Sequence, residues 1–191
     1  MKGRRIGFAV TGSHCTVAEI IEPMKVLVES GGTVFPIVSE SIASTDSRFG
    51  RAEKLLKNLA HICGNPVLAS IVSAEPIGPK LNLDVVVVAP CSGNTLARLA
   101  NSITDTPVTM AVKAQLRNER PVVLAVATND GLGGSARNLG LLLDKKHVYF
   151  VPFGQDNPWD KPRSLVCDFS KLIDTIEAAL LGKQIQPILL R

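Results

Sequence analysis

Apolar positions along the chain follow two alternating rhythms. Short runs rich in Val, Ile and Ala fall within Ile6–Val10, Thr33–Val38, Asp84–Pro90, Pro121–Ala127 and Val148–Val151. The runs after Asp84 and Pro121 have almost no polar alternation, as expected of strands buried on both faces of a parallel sheet. Between the runs, apolar residues recur at helical spacing. Val17, Ile20, Met24 and Leu27 form one stripe, and Leu55, Leu56, Leu59 and Ile62 a second within Arg51–Ile62. Leu96 and Leu99, the segment Pro107–Arg117, and Leu139, Leu142 and Leu143 supply three more. Leu172, Ile173, Ile176, Ala179 and Leu180 make the inner face of a closing helix around Phe169–Leu181. Thr16 and Glu19 have capping-box spacing for the first helix, and Pro23 is expected to kink it. Pro76 and Pro79 argue for a loop between Pro66 and Asp84, and residues 152–168 read as a long loop with Trp159 in it.

Strand and helix alternating in this way predict a three-layer α/β domain over residues 1–191, a doubly wound parallel sheet with right-handed crossovers. Ligands of such sheets bind beyond the carboxyl ends of the strands. Here those ends read Thr11-Gly12-Ser13, Ser39-Glu40-Ser41, Cys91-Ser92-Gly93-Asn94-Thr95 and Thr128-Asn129-Asp130, rich in hydroxyl and amide groups. An open turn at the start of a helix presents unpaired N–H groups and suits an anion.

Composition narrows the partner. Twenty-one Lys+Arg against 17 Asp+Glu give a net charge of +4, with the basic residues scattered and not interleaved with aromatics, which argues against a nucleic-acid face. The four cysteines show no metal-like or CxxC spacing, so no metal site is expected and reduced thiols in a cytoplasmic protein are. No apolar run approaches a membrane span.

The first turn lacks both Gly-x-Gly-x-x-Gly and the lysine of a P-loop, so neither a dinucleotide nor a triphosphate has direct support. Thr11-Gly12-Ser13 reads equally as a phosphate site and as a plain tight turn. Ser92, Asn94 or Thr95 could serve simply as a helix cap. His14 is expected at the surface and Cys91 as a buried structural thiol. Asp105 and Asp130 are candidate carboxylates, Asp105 equally an N-cap. Lys113, Arg117, Lys161 and Arg163 are candidate cations for an acidic substrate.

Taken in order, Val10-Thr11-Gly12-Ser13, Ile37-Val38-Ser39, Ala89-Pro90-Cys91-Ser92-Gly93-Asn94-Thr95-Leu96-Ala97-Arg98-Leu99-Ala100 and Arg120–Asn129 resemble the flavoprotein family of flavin-dependent cysteine decarboxylases and flavin prenyltransferases. The resemblance implies a Rossmann-like flavoprotein fold and an FMN site. In that site Thr11, Gly12, Ser13 and Ser39 hold the phosphate, and Ser92, Gly93, Asn94 and Thr95 lie along the ribityl chain and ring. Ala127, Thr128 and Asn129 border ring and substrate. It also implies a homo-oligomer built from trimers. A closer resemblance within the family implies a partner subunit that carries NAD(P), and a small dicarboxylate substrate for which Lys113, Lys161 and Arg163 are candidates. The chain departs from the family pattern at two places. Glu75-Pro76-Ile77-Gly78 replaces the His-Ile pair of cysteine decarboxylases, and Val126-Ala127-Thr128-Asn129 replaces Pro-Ala-Met-Asn, with Ala127 where prenyltransferases have arginine. A stand-alone decarboxylase or prenyltransferase, and a scaffold with a vestigial flavin cleft, are the alternatives to an oxidoreductase subunit.

Overall fold

The computed structural model describes residues 1–190; the last position of the expected 1–191 domain lies outside the described residues. From the amino end, β1 (Arg5–Val10) leads through a 3-10 segment (His14–Ile20) into α1 (Ile21–Glu29), and β2 (Thr33–Val38) into α2 (Glu40–Ser44), α3 (Ala52–Cys63) and α4 (Ile71–Ala74). β3 (Val85–Cys91) precedes α5 (Gly93–Ala100) and α6 (Pro107–Arg117), and β4 (Val122–Thr128) precedes α7 (Ala136–Leu143). β5 (Val148–Phe150), a hairpin of β6 (Phe153–Asn157) and β7 (Lys161–Cys167), and α8 (Leu172–Leu180) complete the chain.

The seven strands form one sheet in the order β2-β1-β3-β4-β7-β6, with β5 also paired to β4. β1, β2, β3, β4 and β5 pair in parallel. β3 explains why the sheet must be covered on both sides: Val85, Val86, Val87 and Val88 are each 0% exposed, so side chains on both faces are buried. α1 adjoins α8 over one face, and α4, α5, α6 and α7 adjoin in series over the other. Connections from β1 run outward to β2 and then back past it to β3. The strand order therefore reverses between β1 and β3, and the two chains diverging there leave a crevice at the carboxyl edge.

Four local expectations change. Residues 152–168 hold a hairpin, β6–β7, whose strands pair antiparallel with each other, β7 also pairing antiparallel with the end of β4. Its turn is held by the Asn157 side-chain oxygen, which accepts from the N–H groups of Trp159 and Asp160. Few of its residues reach the core, so its apolar pattern is faint. The 66–84 region holds α4 with a Ser70/Ser73 capping box and a 3-10 turn at Glu75–Ile77. Thr16 and Glu19 make no capping box: the helical turn begins at His14 after Ser13, and Thr16 Oγ1 donates to Ser13 instead. Pro23 falls in the first turn of α1, where its missing N–H removes no hydrogen bond within that helix. By contrast, α6 starts where its sequence predicts, at Pro107 behind a Thr106/Thr109 capping box. Thr106 is the N-cap there, and Asp105 pairs with Arg98 at 3.0 Å.

Candidate functional site

Two chain reversals at the carboxyl edge, after β1 and after β3, are tied together by one hydroxyl. Thr11, 1% exposed, donates from Oγ1 to the Pro90 carbonyl at 2.8 Å and accepts from the Ser92 N–H at 3.0 Å. A single buried side chain thus sets the spacing of both turns. In the first turn the Ser13 N–H donates back to the Thr11 carbonyl at 2.7 Å. The N–H groups of His14 and Cys15 that follow find no acceptor among the described residues. In the second turn Ser92 caps α5 without a side-chain hydrogen bond to the helix backbone, and the N–H groups of Gly93, Asn94 and Thr95 are likewise unsatisfied among the described residues. Of these residues His14, Cys15, Gly93 and Asn94 line one cleft, where the partial positive charge of a helix start favours an anion.

That cleft has a volume of about 680 Å³ and is lined by Gly12, Ser13, Ser92, Gly93 and Asn94 from the β1 and β3 turns and by Ala127, Thr128, Asn129 and Asp130 from the β4 end. The volume lies within the range of small-molecule and cofactor sites. At two points a Cβ would crowd neighbouring side-chain oxygens. A Cβ on Gly12 would come within 2.6 Å of Ser41 Oγ, and one on Gly93 within 2.6 Å of Thr128 Oγ1 and 2.9 Å of both Asp130 Oδ1 and Ser135 Oγ. Backbone at Gly12 is thereby pressed against the hydroxyl pair Ser39–Ser41, whose oxygens are 3.0 Å apart.

At the β4 side Thr128 Oγ1 donates to Asp130 Oδ1. This hydrogen bond, with a smaller one from Ser135, holds the Asp130 carboxyl below its ordinary value. A fixed carboxylate there repels a second anion, so an anionic ligand group is directed to the β1 end. Arg48 and Phe49 form the outer wall, with the Arg48 guanidinium 4.8 Å from the Phe49 ring centroid.

The sequence model of the flavoprotein family matches residues 1–157. The chain belongs to the flavoprotein family. The B subunit of dipicolinate synthase from Bacillus subtilis (strain 168) is 48% identical over 189 residues, 99% of this chain and 94% of the relative. The crystal structure of the dipicolinate synthase B subunit from Bacillus halodurans C superposes with a TM-score of 0.91 at 46% identity, covering 100% of this chain and 97% of that one. A more distant likeness, of fold alone, is to Burkholderia xenovorans DmrB in complex with FMN, a cubic protein cage for redox transfer. Its TM-score is 0.68 at 18% identity over 93% of this chain and 96% of that one.

In this flavoprotein Gly12, Ser13, Ser92, Gly93, Asn94, Ala127, Thr128 and Asn129 come together on one cleft. Thr11 and Thr95 stand behind it, Thr11 as the tie between turns and Thr95 through a 3.1 Å contact between its Oγ1 and Ser92 Oγ. Ser39 is not on the wall itself and reaches it through Ser41. Lys161 pairs with Asp156 at 2.7 Å, which raises its affinity for the proton, and Cys15 on the cleft wall adds to that rise. Arg163 packs beside Gly133, next to the lining Gly134. Lys113 and Arg117 lie elsewhere, on a separate recess.

The structure adds His14, Cys15, Arg48, Phe49, Ser135 and Asn138 to the cleft. Only His14 and Cys15 carried a sequence signal, their place directly after the turn, and His14 is a cleft residue rather than a plain surface one. Cys91 is buried as expected, with its thiol pushed far above the ordinary range by desolvation.

Proposed function

We propose that this flavoprotein serves as the B subunit of a dipicolinate synthase. It would bind FMN and act with an A subunit that carries NAD(P) to oxidise dihydrodipicolinate to dipicolinate in the mother cell of a sporulating bacterium. The observation that carries the reading is the likeness to dipicolinate synthase B subunits along essentially the whole chain, over a cleft whose residues fit a flavin mononucleotide. The fit rests on the unsatisfied N–H groups at the two turns and on the close backbone approach that Gly12 and Gly93 permit.

In this assignment Gly12 and Ser13, with Ser39 through Ser41 and the tie from Thr11, hold the phosphate. Ser92, Gly93, Asn94 and Thr95 run along the ribityl chain, and Ala127, Thr128 and Asn129 border the ring. FMN held here would supply a two-electron acceptor for the hydride equivalent and the proton lost when the dihydropyridine ring becomes aromatic, and oxidised NAD(P) on the A subunit would take those electrons from the reduced flavin. Asp130 stays ionised beside the ring end and keeps the phosphate at the β1 end. Arg163, on β7 beside Gly133, and Lys161 on the same strand would meet the substrate carboxylates; an arginine fork is suited to a planar carboxylate. Oligomerisation in trimers or multiples of trimers places the flavin near a subunit boundary. The dinucleotide belongs on the partner, because this chain has no Gly-x-Gly-x-x-Gly turn of its own.

The test is the visible spectrum of the pure protein with and without added FMN, followed by dipicolinate formation with and without the A subunit. A protein that takes up FMN and yields dipicolinate only with its partner supports the assignment. Turnover without a partner would favour a stand-alone flavin enzyme, and a colourless protein that ignores FMN would favour a scaffold. Arg163→Ala should raise KM in the reconstituted complex; an unchanged KM would remove Arg163 from the substrate site.

A further inference from the structure

Oxidation of a dihydropyridine releases a proton as well as a hydride equivalent, and the proton needs an acceptor on the cleft wall. Four lining residues carry a charged or titrating group: His14, Cys15, Arg48 and Asp130. Arg48 has no site that accepts a proton. His14 and Cys15 open the 3-10 segment behind the β1 turn, the end of the cleft assigned to the phosphate. Asp130 lies at the opposite end, two residues past the close of β4, and is the only carboxylate in the lining.

Its carboxylate is both held and left bare. Thr128 Oγ1 donates to Oδ1. The residues on either side are glycines at helix starts: a Cβ on Gly93 would stand 2.9 Å from Oδ1, and one on Gly134 3.3 Å from Oδ2. With no Cβ at either place, the carboxylate is open to the cleft. It also lies beside the starts of α5 and α7, whose partial positive charge favours its ionised form. The turn that carries it closes through backbone, because the Asp130 carbonyl accepts from the N–H groups of Gly133 at 2.8 Å and Ser135 at 3.2 Å. The Leu132 N–H donates to the Arg163 carbonyl at 3.0 Å, and Gly131 sits where a Cβ would come within 2.6 Å of Leu165, so β7 fixes the loop.

We infer, resting on the oxidation proposed above, that Asp130 is the general base of the cleft. A ring C–H bond of the substrate breaks, its electron pair closes the last double bond of the aromatic ring, and the proton passes to an Asp130 carboxylate oxygen. The hydride equivalent leaves the neighbouring ring carbon for the flavin acceptor, which accounts for both electrons and both hydrogens. Asp130 then gives its proton to water at the open mouth of the cleft. The hydrogen bonds from Thr128 and Ser135 that keep the carboxylate ionised also make it a weak base. A weak base suffices, because conjugation with the ring C=N acidifies the C–H and aromatisation drives the transfer.

The experiment uses the full chain, first flavin-free and alone, then with FMN and the A subunit. In deuterated water the flavin-free protein should catalyse exchange of a ring proton of dihydrodipicolinate, followed by proton NMR, since abstraction needs a base and no electron acceptor. Asp130→Asn should slow that exchange by at least about 100-fold. In the reconstituted complex the same variant should lower kcat by about 10²–10⁴-fold, the usual share of a general base, with FMN affinity unchanged. Dipicolinate is a dianion and should bind Asp130→Asn more tightly than the unmodified protein, because a like charge is gone; a residue that only shaped the loop would not give this. Exchange no faster than in buffer with the unmodified protein would overturn the inference. So would a variant that exchanges and turns over normally, or one that binds dipicolinate more weakly. An unmodified chain that exchanges the proton yet forms no dipicolinate with its partner would support the base and contradict the proposed function, so the two failures give different results.

Discussion

Replacing Thr11 by Val keeps the shape of the side chain and removes the hydroxyl that spans the two turns. Two partners are then stranded: the Pro90 carbonyl, 2.8 Å away, and the Ser92 N–H, 3.0 Å away. An unsatisfied buried group costs about 1–3 kcal/mol. Pro90 is buried and bears the full cost, whereas Ser92 is only half-buried and regains part of its loss from water in the cleft. Together they make Thr11→Val about 2–4 kcal/mol less stable. For a chain of this size, at about 2–4 °C per kcal/mol, the melting temperature falls by roughly 4–16 °C. Thr11→Ser retains the hydroxyl and loses one buried methyl, a cost of about 1 kcal/mol. The assay is urea unfolding with both variants beside the unmodified protein, read with FMN affinity. Freed turns should also weaken FMN, more in the Val variant than in the Ser variant. A Val variant as stable as the Ser variant would refute the reasoning, because it would mean that the hydroxyl does not tie the turns.

Gly93→Ala improves helix propensity yet forces a Cβ within 2.6 Å of Thr128 Oγ1, so overpacking should cost about 1–3 kcal/mol in urea unfolding and weaken FMN; a neutral or stabilised variant would contradict this. The Asp130 carboxyl is held below its ordinary value, so the stability it contributes is present above the unfolded value, near 4, and is lost as pH falls through the lower folded value. Asp130→Asn should therefore lose stability less steeply on acidification, measured as urea midpoint against pH, and an identical slope would remove Asp130 from the account. Cys15 is exposed while Cys63, Cys91 and Cys167 are buried, so a thiol reagent should modify one cysteine rapidly in the folded protein and FMN should slow that reaction. Rapid loss of further thiols, or no protection by FMN, would count against the cleft as described.

The parallel core was legible because burial on both faces leaves strands with no polar alternation, as at Val85–Val88. The start of α6 was legible for a local reason, since Thr106, Pro107 and Thr109 carry the cap within themselves. The β6–β7 hairpin was not: Gln155, Asp156, Lys161 and Pro162 face water, and its register comes from pairing with β4, distant in sequence. At the site, the residues that border strand ends were readable from turn chemistry. Thr11 was readable as part of the turn but not as the tie, because its partners Pro90 and Ser92 are brought near only by the β1–β3 pairing. Arg48 and Phe49 reach the cleft from the α2–α3 connection and Asn138 from α7, segments that carry no motif. Lys113 and Lys161 look alike in sequence, and only the fold separates them, Lys113 onto the second recess and Lys161 into an ion pair with Asp156 on the β6–β7 hairpin.

The central claim is that the backbone-rich turn at Gly12–Ser13 holds a flavin phosphate. Fluorescence titration of flavin-free protein with FMN and with riboflavin, which differ only in that phosphate, tests it most directly. Charge-assisted hydrogen bonds contribute about 1.5–3 kcal/mol each, so riboflavin should bind at least about tenfold more weakly than FMN, and Gly12→Val should abolish the difference. Equal affinity for the two flavins, or binding of neither, would contradict the claim.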